Sequence, residues 1–562
     1  MMPDSDRVVN GARIVHADTV TSTLVSPAAF RGIFRTDDLA RAVYSEGAGI
    51  ARSLPAAVAV PEDYDDVRAL VTWAHDSGTP LIPRGAGSGM AGGAIGPNVV
   101  MDLSRLAAIG RIDTERRRVR VGPGALRAAV DARARQKGLR FPVDPSSGRF
   151  CTIGGMAATN AAGARTLSLG PMRAWVAALD CVFDDGSRAL VRRGEPAPAT
   201  VPAIRRFLDE VDADARSAAS LFERDGLRKQ SSGYALAEYA RSGELVDLLV
   251  GSEGTLAVFV GVELALAPAP GATASLLAAF ADLESAVLAA GEARRGGASA
   301  CELLDKTFLD VAAMGERTIP VRGGTEAALL VELEGATSDD AASAGNLLKR
   351  TFLDAGATEV TLAYTREMEE SLWGLRHAAS PTLSRLDPSL RSMQFIEDGA
   401  VPPERLAEYV RGIRAALDAQ QVRGVIFGHA ADGHVHVNPL VDVARPDWRD
   451  RVGRVLDDVV DLTAGLGGTL AGEHGDGRIR TPLLDRIWSP EATALFARVK
   501  RSFDPTGILN PGVKVPLDGQ RAIETVKYDP SLPLLPERAR EALDLVEAER
   551  AYDQFRLALL EG

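Results

Sequence analysis

The chain has 562 residues, of which 46% are hydrophobic and 25% are charged, as in typical soluble globular proteins. This composition excludes disordered, collagen-like and disulfide-scaffold proteins. Lys and Arg number 64 against 76 Asp and Glu, and the resulting net charge of -12 argues against nucleic acid as a partner. At the usual ~150 residues per domain, three or four structural units are expected.

The three cysteines, Cys151, Cys181 and Cys301, are widely separated and form neither a CxxC pair nor a disulfide framework. This usage is typical of a reducing compartment, where such residues are buried as small hydrophobic side chains. Residues 1–20 carry charges and lack the apolar core of a signal peptide. Prolines interrupt the weakly charged run 255–280 before it reaches the ~20 apolar residues of a membrane helix. We therefore expect a cytoplasmic protein, with peripheral attachment to a membrane as the alternative.

Hydrophobic periodicity predicts short strands and two helices before residue 270. The predicted strands span residues 56–60, 80–83, 98–103, 117–121, 175–183 and 248–266. The predicted helices span residues 63–77 and 125–137. Residues 141–163 are rich in Gly, Pro and Ser, which predicts mostly loop. The segment 267–271 is rich in Pro and Ala and predicts a domain boundary.

Beyond that boundary a strand, a helix and a second strand occur twice in series. The first set spans residues 275–280, 282–294 and 298–304, and the second set spans residues 327–333, 338–353 and 359–363. Two such units predict a ferredoxin-like half sheet with helices on one face. Residues from about 515 onward, including a charged helix at 537–560, predict an appendage that docks on the body or on a partner.

A glycine-rich loop follows the predicted strand at residues 80–83. Its Gly87-x-Gly89-x-x-Gly92 spacing formally matches the dinucleotide fingerprint, but that fingerprint needs a helix directly after the glycines. Here the next predicted element is a strand, which disfavours a nicotinamide site. Successive backbone N–H groups without side chains form a nest for a pyrophosphate, although a tight structural turn would look the same. A second loop, at residues 144–163, combines glycines with small hydroxyl side chains, and two such loops favour a large phosphate-bearing cofactor.

Four of the seven histidines lie between residues 429 and 474: His429, His434, His436 and His474. The dipeptide Asp432-Gly433 predicts a hairpin that returns His434 and His436 beside His429, with both on one face of the returning strand. Several imidazoles and one carboxylate are the ligands that zinc or manganese takes when a coordination position stays open for substrate. Buried structural histidines are the alternative.

Seven motifs support a family resemblance, because they occur together and in order. They lie at residues 83–93, 152–163, 232–234, 251–256, 428–436, 472–477 and 503–512. In this order the chain resembles FAD-linked oxidases of the vanillyl-alcohol-oxidase superfamily, which have a PCMH-type FAD-binding domain. More narrowly, it resembles the D-2-hydroxy acid dehydrogenases that act on D-lactate, glycolate or D-2-hydroxyglutarate. The resemblance covers about residues 50–515.

The resemblance implies an α+β fold with four segments. These are an N-terminal extension (1–50), a two-subdomain PCMH-type FAD-binding domain (51–268), a ferredoxin-like antiparallel-sheet substrate and metal domain (269–514), and a C-terminal helical appendage (515–562). The implied cofactors are FAD and a divalent metal, zinc or manganese. The glycine-rich loop contains no histidine for covalent attachment, so the FAD is expected to be non-covalent.

The resemblance also implies roles for individual residues. The implied FAD contacts are Arg84, Gly85, Ala86, Gly87, Ser88, Gly89, Met90, Ser147, Thr152, Gly155, Thr159, Glu253 and Asn510. The implied metal ligands are His429, His436 and Glu473, and the implied catalytic base is His474. Arg376 is the second implied catalytic residue and receives the substrate carboxylate, with Ser380 and Asn438 as further substrate contacts.

The implied reaction is oxidation of a D-2-hydroxy acid, such as D-lactate, to the 2-keto acid. The metal assists deprotonation, hydride passes to flavin N5, and the electrons go to an acceptor other than NAD. His434 stands where relatives commonly have Asn, so it is either a fourth ligand or a support for a ligand. Residues 393–398 lack the lysine that 2-hydroxyglutarate enzymes use for the distal carboxylate, which disfavours a dicarboxylate substrate.

Two motifs, at residues 395–398 and 472–477, look closer to long relatives that carry a fused iron–sulfur domain. With three cysteines this chain has no such domain, so we expect an iron–sulfur partner, a quinone or a cytochrome as electron acceptor. For the oligomeric state, a homodimer is one alternative. Three other functions stay open as well: an oxygen-using oxidase of another alcohol or hydroxy acid, a zinc-dependent hydrolase with the same His and Glu residues, and a non-catalytic interaction protein.

Overall fold

The computed structural model describes residues 24–314, 321, 323–376 and 389–561. The first part of the chain forms a small mixed sheet in the order β1-β2-β4-β3, in which β2, β4 and β3 are parallel. Its elements are β1 (Ile33–Arg35), α1 (Asp38–Val43), β2 (Ala57–Val60), α2 (Tyr64–Ser77), β3 (Leu81–Arg84) and β4 (Val99–Asp102). Helix α2 begins where Asp63 accepts hydrogen bonds from the backbone of Asp65 and Asp66, and it ends at Gly78 with a φ of 67°.

The next part forms an antiparallel sheet in the order β5-β9-β7-β8. Its elements are β5 (Arg118–Val121), α3 (Arg127–Arg135), β6 (Leu139–Arg140), α4 (Ile153–Thr159), α5 (Thr166–Leu169), β7 (Val176–Val182), β8 (Arg188–Arg192), α6 (Pro202–Glu210), α7 (Asp212–Ser217), α8 (Leu236–Ser242), α9 (Leu245–Leu249), β9 (Val258–Ala265) and β10 (Ala267–Pro268). The short strands β6 and β10 pair with each other. Short 3-10 helices lie at Met172–Trp175 and Ala219–Leu221.

One sequence-based prediction in this part is incomplete, and another is wrong over part of its length. The predicted loop 141–163 contains helix α4, because Thr152 caps its first turn and Gly154 fits closely against Pro123. The predicted strand 248–266 starts as helix α9 and becomes strand only at Val258. Between them Gly251 and Gly254 adopt φ values of 90° and 71°, which interrupt an extended chain.

The largest sheet is antiparallel and has the order β14-β11-β13-β12-β17-β18-β15, with β16 paired to β18. Its strands are β11 (Ala272–Phe280), β12 (Ala300–Asp305), β13 (Ala327–Gly335), β14 (Ala357–Ala363), β15 (Leu390–Ser392), β16 (Gly399–Ala400), β17 (Arg423–His429) and β18 (His434–Asp442). The first four strands have the 4-1-3-2 order of a ferredoxin-like unit, which confirms that prediction. The hairpin β17–β18 extends the sheet beyond this unit.

The remaining helices cover this sheet and lead back to the first one. They are α10 (Leu283–Arg295), α11 (Lys306–Ala313), α12 (Ser338–Asp354), α13 (Arg366–Leu375), α14 (Leu406–Ala419), α15 (Trp448–Gly465), α16 (Gly477–Arg480), α17 (Leu484–Ile487), α18 (Pro490–Phe503) and α19 (Glu537–Glu549). Further 3-10 helices lie at Pro403–Arg405, Ala430–Asp432, Thr481–Leu483 and Ala558–Leu560. None of the helices in the described ranges is long and apolar enough to cross a membrane.

The C-terminal residues pack on the first sheet. Ala542 and Leu543 of α19 share a hydrophobic core with Val58 of β2 and Ile82 of β3. The helix predicted to reach residue 560 ends earlier, because Arg550 turns the chain with a φ of 53°. All three cysteines are buried and unpaired, as expected.

Candidate active site

The hairpin β17–β18 brings three histidines to one face of the large sheet. His429 lies directly opposite His434 in the strand register, and His436 follows two residues later on the same face. Gly433, with a φ of 69°, closes the turn between the strands. Glu473 reaches the same place from the loop after α15. The ligand atoms of these three imidazoles and of Glu473 lie within 4.8 Å of one another.

Each imidazole in this cluster has one nitrogen next to an oxygen acceptor. The pairs are His429 Nδ1 with Glu302 Oε1 at 2.5 Å, His434 Nε2 with Asp398 Oδ1 at 2.9 Å, and His436 Nδ1 with the Glu397 carbonyl at 3.1 Å. Because those oxygens accept, the paired nitrogens carry the proton and donate. The opposite nitrogen of each ring then offers its lone pair, as in metal sites where a ligand histidine donates its other N–H to a carboxylate or carbonyl.

The pKa values describe the cluster before an ion binds. Burial opposes protonation of His429, but Glu302 and Glu473 outweigh it and raise its pKa to about 9, so an ion that binds there displaces a proton from this ring. Burial lowers the pKa of His434 to about 4, so that ring is neutral. Burial opposes ionisation of Glu473, yet Lys229 and His429 lower its pKa well below the usual value. Nδ1 of His434 is buried and has no hydrogen-bond partner among the residues that the structure describes. This unpartnered nitrogen and a donor set of imidazoles and one carboxylate fit a divalent metal ion.

His474 lies beside this cluster and is more exposed than the three histidines in it, with 26% of its side chain accessible. Its Nδ1 is 2.7 Å from Glu397 Oε2, and its backbone N–H donates to Asp398 at 2.9 Å. Burial opposes protonation of the ring, but Glu397 and Asp398 outweigh it and raise the pKa of His474 to about 10. Arg480 forms ion pairs with both carboxylates. The bond to Glu397 leaves Nε2 as the nitrogen able to exchange a proton with a ligand.

Arg376 ends helix α13 and is linked to the histidine cluster through one carboxylate. Its Nε donates to Glu302 Oε2 at 2.5 Å, and its guanidinium lies 4.4 Å from the centre of the Phe427 ring. The other oxygen of Glu302 is the one that accepts from His429, so Glu302 bridges the arginine and a candidate metal ligand.

Asn438 lies on β18 two residues after His436 and therefore on the same face of the sheet. Ser380, the other predicted substrate contact, lies outside the described residues.

The two predicted cofactor loops adjoin each other. The loop of residues 85–90 leaves the end of β3, and a Cβ added to Gly85 would lie 2.2 Å from Thr152 Oγ1 in the second loop. Thr152 Oγ1 also accepts from the backbone of Gly155 at 3.4 Å, and Thr159 Oγ1 donates to the Gly155 carbonyl at 3.2 Å. A glycine-rich loop next to a helix N-terminus fits the diphosphate of a dinucleotide cofactor.

Not every predicted cofactor residue presents its side chain to these loops. Arg84 is buried and donates to the backbone carbonyls of Tyr44 and Glu46, at 3.2 and 3.0 Å. The Glu253 carboxylate accepts from the backbone of Asp476 and Gly477, at 2.7 and 3.0 Å. These two side chains therefore hold the protein together around the loops.

Asn510 makes similar contacts, donating to the carbonyls of Gly93 and Glu253 at 3.0 and 2.8 Å. It thereby ties the glycine-rich loop to the segment that carries Glu253.

Two known families match parts of the chain, and several named proteins are similar to most of it. Residues 55–190 match the family described as FAD binding domain, and residues 269–513 match FAD linked oxidases, C-terminal domain. The D-lactate dehydrogenase of Archaeoglobus fulgidus is 30% identical over 81% of this chain and 90% of that protein. The glycolate oxidase subunit GlcD of Bacillus subtilis is 28% identical over 87% of this chain and 95% of that protein. The D-2-hydroxyglutarate dehydrogenase of Pseudomonas putida is 29% identical over 86% of this chain but only 50% of that protein.

Solved structures show the same fold at low sequence identity. The 4-ethylphenol oxidase from Gulosibacter chungangensis has a TM-score of 0.60 and 14% identity, covering 86% of this chain and 95% of its own. Alkyldihydroxyacetonephosphate synthase has a TM-score of 0.59 and 15% identity, and the match covers 85% of this chain and 82% of the synthase chain. The predicted PCMH-type FAD-binding fold is thereby confirmed. The chain therefore belongs to the FAD-linked oxidases and is an oxidoreductase of the D-lactate, glycolate or D-2-hydroxyglutarate dehydrogenase type.

Proposed function

We propose that the protein oxidises a D-2-hydroxy acid, D-lactate or a similarly small acid, to the 2-keto acid. In this proposal non-covalent FAD and a divalent metal, zinc or manganese, take part, and the electrons pass to an acceptor other than NAD. The observation that supports it most strongly is the pair of buried carboxylates, Glu302 and Glu397. Glu302 joins Arg376 to His429. Glu397 bonds His474 through its carboxylate and His436 through its backbone carbonyl, so these groups form one connected site.

A metal bound here would supply a Lewis acid that lowers the pKa of the substrate hydroxyl, and bound FAD would supply the acceptor, at N5, for the hydride of the α-carbon. His429, His436 and Glu473 would hold the ion. His474 removes the hydroxyl proton through Nε2, because Nδ1 is held by Glu397. Only the neutral ring can accept that proton, and since the pKa of His474 is raised to about 10, the rate of flavin reduction should rise with pH until the pH reaches about 10. Arg376, whose Nε is held by Glu302, pairs with the substrate carboxylate through the rest of its guanidinium. Asn438 contacts the substrate from the same sheet face.

The residues at 393–396 support a small monocarboxylate substrate. Met393, Phe395 and Ile396 are buried and apolar, and this stretch carries no cation for a second carboxylate. We expect D-lactate and glycolate to bleach the flavin absorbance in anaerobic mixing, with D-2-hydroxyglutarate and L-lactate much slower. Fastest bleaching by D-2-hydroxyglutarate would contradict the assignment of substrate size. Repeating the reaction with oxygen tests the alternative of an oxygen-using oxidase.

Chelation tests the metal role. The purified protein should be yellow, and removal of the metal should abolish reduction of the flavin by substrate while leaving the FAD bound. A His474→Ala variant should also retain FAD and lose most of its turnover. Full activity of the chelated protein would refute the metal role, and a colourless protein would favour a zinc-dependent hydrolase.

The electron acceptor in this proposal is an iron–sulfur protein, a quinone or a cytochrome. GlcD, a relative, is named as a subunit of glycolate oxidase. In this chain the three cysteines are buried in separate places and offer no cluster of thiolates. Reoxidation of the reduced flavin by soluble quinone analogues and by ferricyanide, compared with NAD, would test this assignment.

A further inference from the structure

We propose that His434 is a fourth protein ligand of the metal ion, beside His429, His436 and Glu473. This inference rests on the proposed function, because it assumes that an ion binds in this cluster. His434 is fully buried, and its Nε2 is occupied by Asp398 at 2.9 Å. Its Nδ1 has no hydrogen-bond partner and lies 3.9 Å from the Glu473 carboxylate.

The position of His434 argues for ligation and against a supporting role. A histidine that supports a ligand is hydrogen-bonded to that ligand. His434 instead donates to Asp398, and within the described part of the chain its inner nitrogen, Nδ1, is hydrogen-bonded to none of the other three ligands. A buried acceptor without a partner destabilises the folded protein, and a bond to the ion removes that cost. The ring also stacks on His429, with centroids 5.3 Å apart and planes 14° apart.

A fourth protein ligand changes which ion suits the site. Zinc usually takes four ligands, so four from the protein would leave no position for a substrate. An ion that accepts six ligands, such as manganese, keeps two positions for the hydroxyl and carboxylate oxygens of a 2-hydroxy acid. His434 therefore favours manganese over zinc.

The test counts coordinated nitrogens and does not use turnover. The protein is stripped with a chelator and loaded with Mn²⁺, and pulsed EPR counts the imidazoles bound to the ion. We expect three in the native protein and two in His434→Asn, with a loss of Mn²⁺ affinity beyond the ~10–100-fold that a supporting residue costs. The control is His75→Asn on α2, in another part of the molecule, which should keep all three.

The outcomes separate this inference from the proposed function. Two imidazoles in both the native protein and His434→Asn would overturn the fourth ligand and leave the other three in place. A native protein that binds no Mn²⁺ and no Zn²⁺ would refute the metal role itself. If His434→Asn does not fold, His434→Gln provides the same comparison, and circular dichroism with bound flavin checks the fold.

A second and independent observation concerns Arg556 near the C-terminus. Its side chain is only 3% exposed, and within the described ranges its Nε and Nη1 have no hydrogen-bond partners. The contact recorded for the guanidinium is the Tyr552 ring, whose centre is 5.3 Å from Cζ. Among the described residues, no carboxylate lies within ion-pair distance of it. Its charged neighbours are Arg84 and Asp102, and the latter already accepts from Tyr44. Burial, and then Arg84, lower the pKa of Arg556 to about 10.

Arg556 lies at the end of the first sheet where the glycine-rich loop begins. Arg84 and Asp102 are the last residues of the parallel strands β3 and β4, and ligands bind at such strand ends in open sheets. Tyr552, four residues before Arg556, packs on Phe150 with centroids 5.2 Å apart and on Ala86 of the loop. A buried cation beside a second cation is costly unless an anion joins them.

We infer that Arg556 receives a phosphate oxyanion at this strand end, either the FAD diphosphate or free phosphate. Residues after 513 lie outside both matched families, so this would be a contribution of the C-terminal segment to the site. The test uses the full-length apoprotein of the native chain and of Arg556→Gln, titrated with FAD and with riboflavin, which has no phosphate. The control is Arg550→Gln, whose guanidinium lies over the Phe150 ring at 5.4 Å.

If the diphosphate is the ligand, Arg556→Gln loses at least tenfold in FAD affinity and keeps its riboflavin affinity. If free phosphate is the ligand, FAD affinity is unchanged, and inorganic phosphate raises the Tm of the native FAD-loaded protein but not that of the variant. Unchanged FAD affinity together with no phosphate effect would overturn the site. If Arg556→Gln fails to fold, Arg556→Lys replaces it, because lysine keeps the positive charge but lacks the several N–H donors of the planar guanidinium.

Discussion

At the scale of single residues, buried carboxylates organise the candidate site. Glu302 and Glu397 each bind one imidazole and one arginine: Glu302 binds His429 and Arg376, and Glu397 binds His474 and Arg480. A carboxylate shared in this way fixes the tautomer of the imidazole and the direction of the guanidinium at once. Catalytic groups held in advance need less reorganisation during the reaction.

Glu397→Gln should slow proton removal without changing cofactor binding. The amide keeps the size of the side chain but loses the charge that holds Nδ1 of His474 and pairs with Arg480. Since a positioned general base contributes roughly 10²–10⁴-fold, we expect flavin reduction to slow by about 10²-fold, with FAD retained. Anaerobic stopped-flow absorbance measures the rate, and a larger solvent isotope effect should accompany the loss.

The matched control for that variant is Glu404→Gln, at the surface outside the site. It should reduce its flavin at the native rate. Native rates in Glu397→Gln as well would show that His474 does not depend on Glu397.

Glu302→Gln should affect metal and substrate together. An amide cannot accept from both His429 and Arg376, so one of them loses its partner. We expect Mn²⁺ affinity to fall by about 10–100-fold and KM for the hydroxy acid to rise. Metal titration and steady-state kinetics measure the two effects. Glu334→Gln, which also removes a carboxylate from a buried arginine pair but touches no histidine, should leave metal affinity unchanged.

The sequence predicted part of this site and missed the rest for a physical reason. His429, His436, Glu473 and His474 lie in motifs whose local spacing shows up in the sequence. Glu302 and Glu397 act on partners 127 and 77 residues away, and Lys229, which pairs with Glu473, is 244 residues from it. The spacing of residues within one short motif cannot indicate contacts between residues so far apart in the sequence. The only signal was the acidic pair at residues 397–398 directly after an apolar stretch.

At the scale of elements, Lys514 joins three loops around the site. Its Nζ lies 3.0 Å from carboxylate oxygens of both Glu253 and Asp476, and it donates to the Ser231 carbonyl at 2.6 Å. All four residues are buried. The lysine therefore connects its own segment after α18 to the segment of Ser231, to the turn before β9, and to the loop that carries Glu473 and His474.

Lys514→Met should destabilise the protein by about 3–5 kcal/mol, because it leaves two buried carboxylates without a cation. Denaturant unfolding measures the free energy of unfolding. The control is Lys306→Met, whose ion pair with Glu326 at 3.1 Å is half exposed and should cost no more than ~1 kcal/mol. Equal costs for the two variants would mean that Lys514 does not hold these loops.

Strands and helices were predictable wherever periodicity alone decides them. The ferredoxin-like unit follows from two strand-helix-strand sets, and α2 (Tyr64–Ser77) lies within one residue of the helix predicted at residues 63–77. Helix α4 was not predictable from composition, since Gly154 and Gly155 lower helix propensity. Its position depends on the close fit of Gly154 against Pro123, which is a tertiary contact.

At the scale of the whole molecule, ion pairs join the first half of the chain to the large sheet. Arg140 forms a two-point pair with Glu334 at 2.6 Å, and Arg165 bonds Glu332 and Asp144. Both glutamates lie on β13, the strand next to β12 with Glu302. These pairs therefore set the position of the histidine-bearing sheet relative to the cofactor loops. The domain boundaries predicted from sequence give no information on that relative position.

The C-terminal segment is the last part of this assembly, and its packing can be tested within one helix. Leu543 of α19 is 4% exposed and packs on the first sheet, whereas Leu545 is 46% exposed. Leu543→Ala should cost about 2–5 kcal/mol of unfolding free energy, and Leu545→Ala less than ~0.5 kcal/mol. Denaturant unfolding followed by flavin fluorescence measures both. Equal and small effects would mean that the segment does not cover this sheet in solution. The contribution inferred for Arg556 would then fail with it, because the same packing buries that side chain.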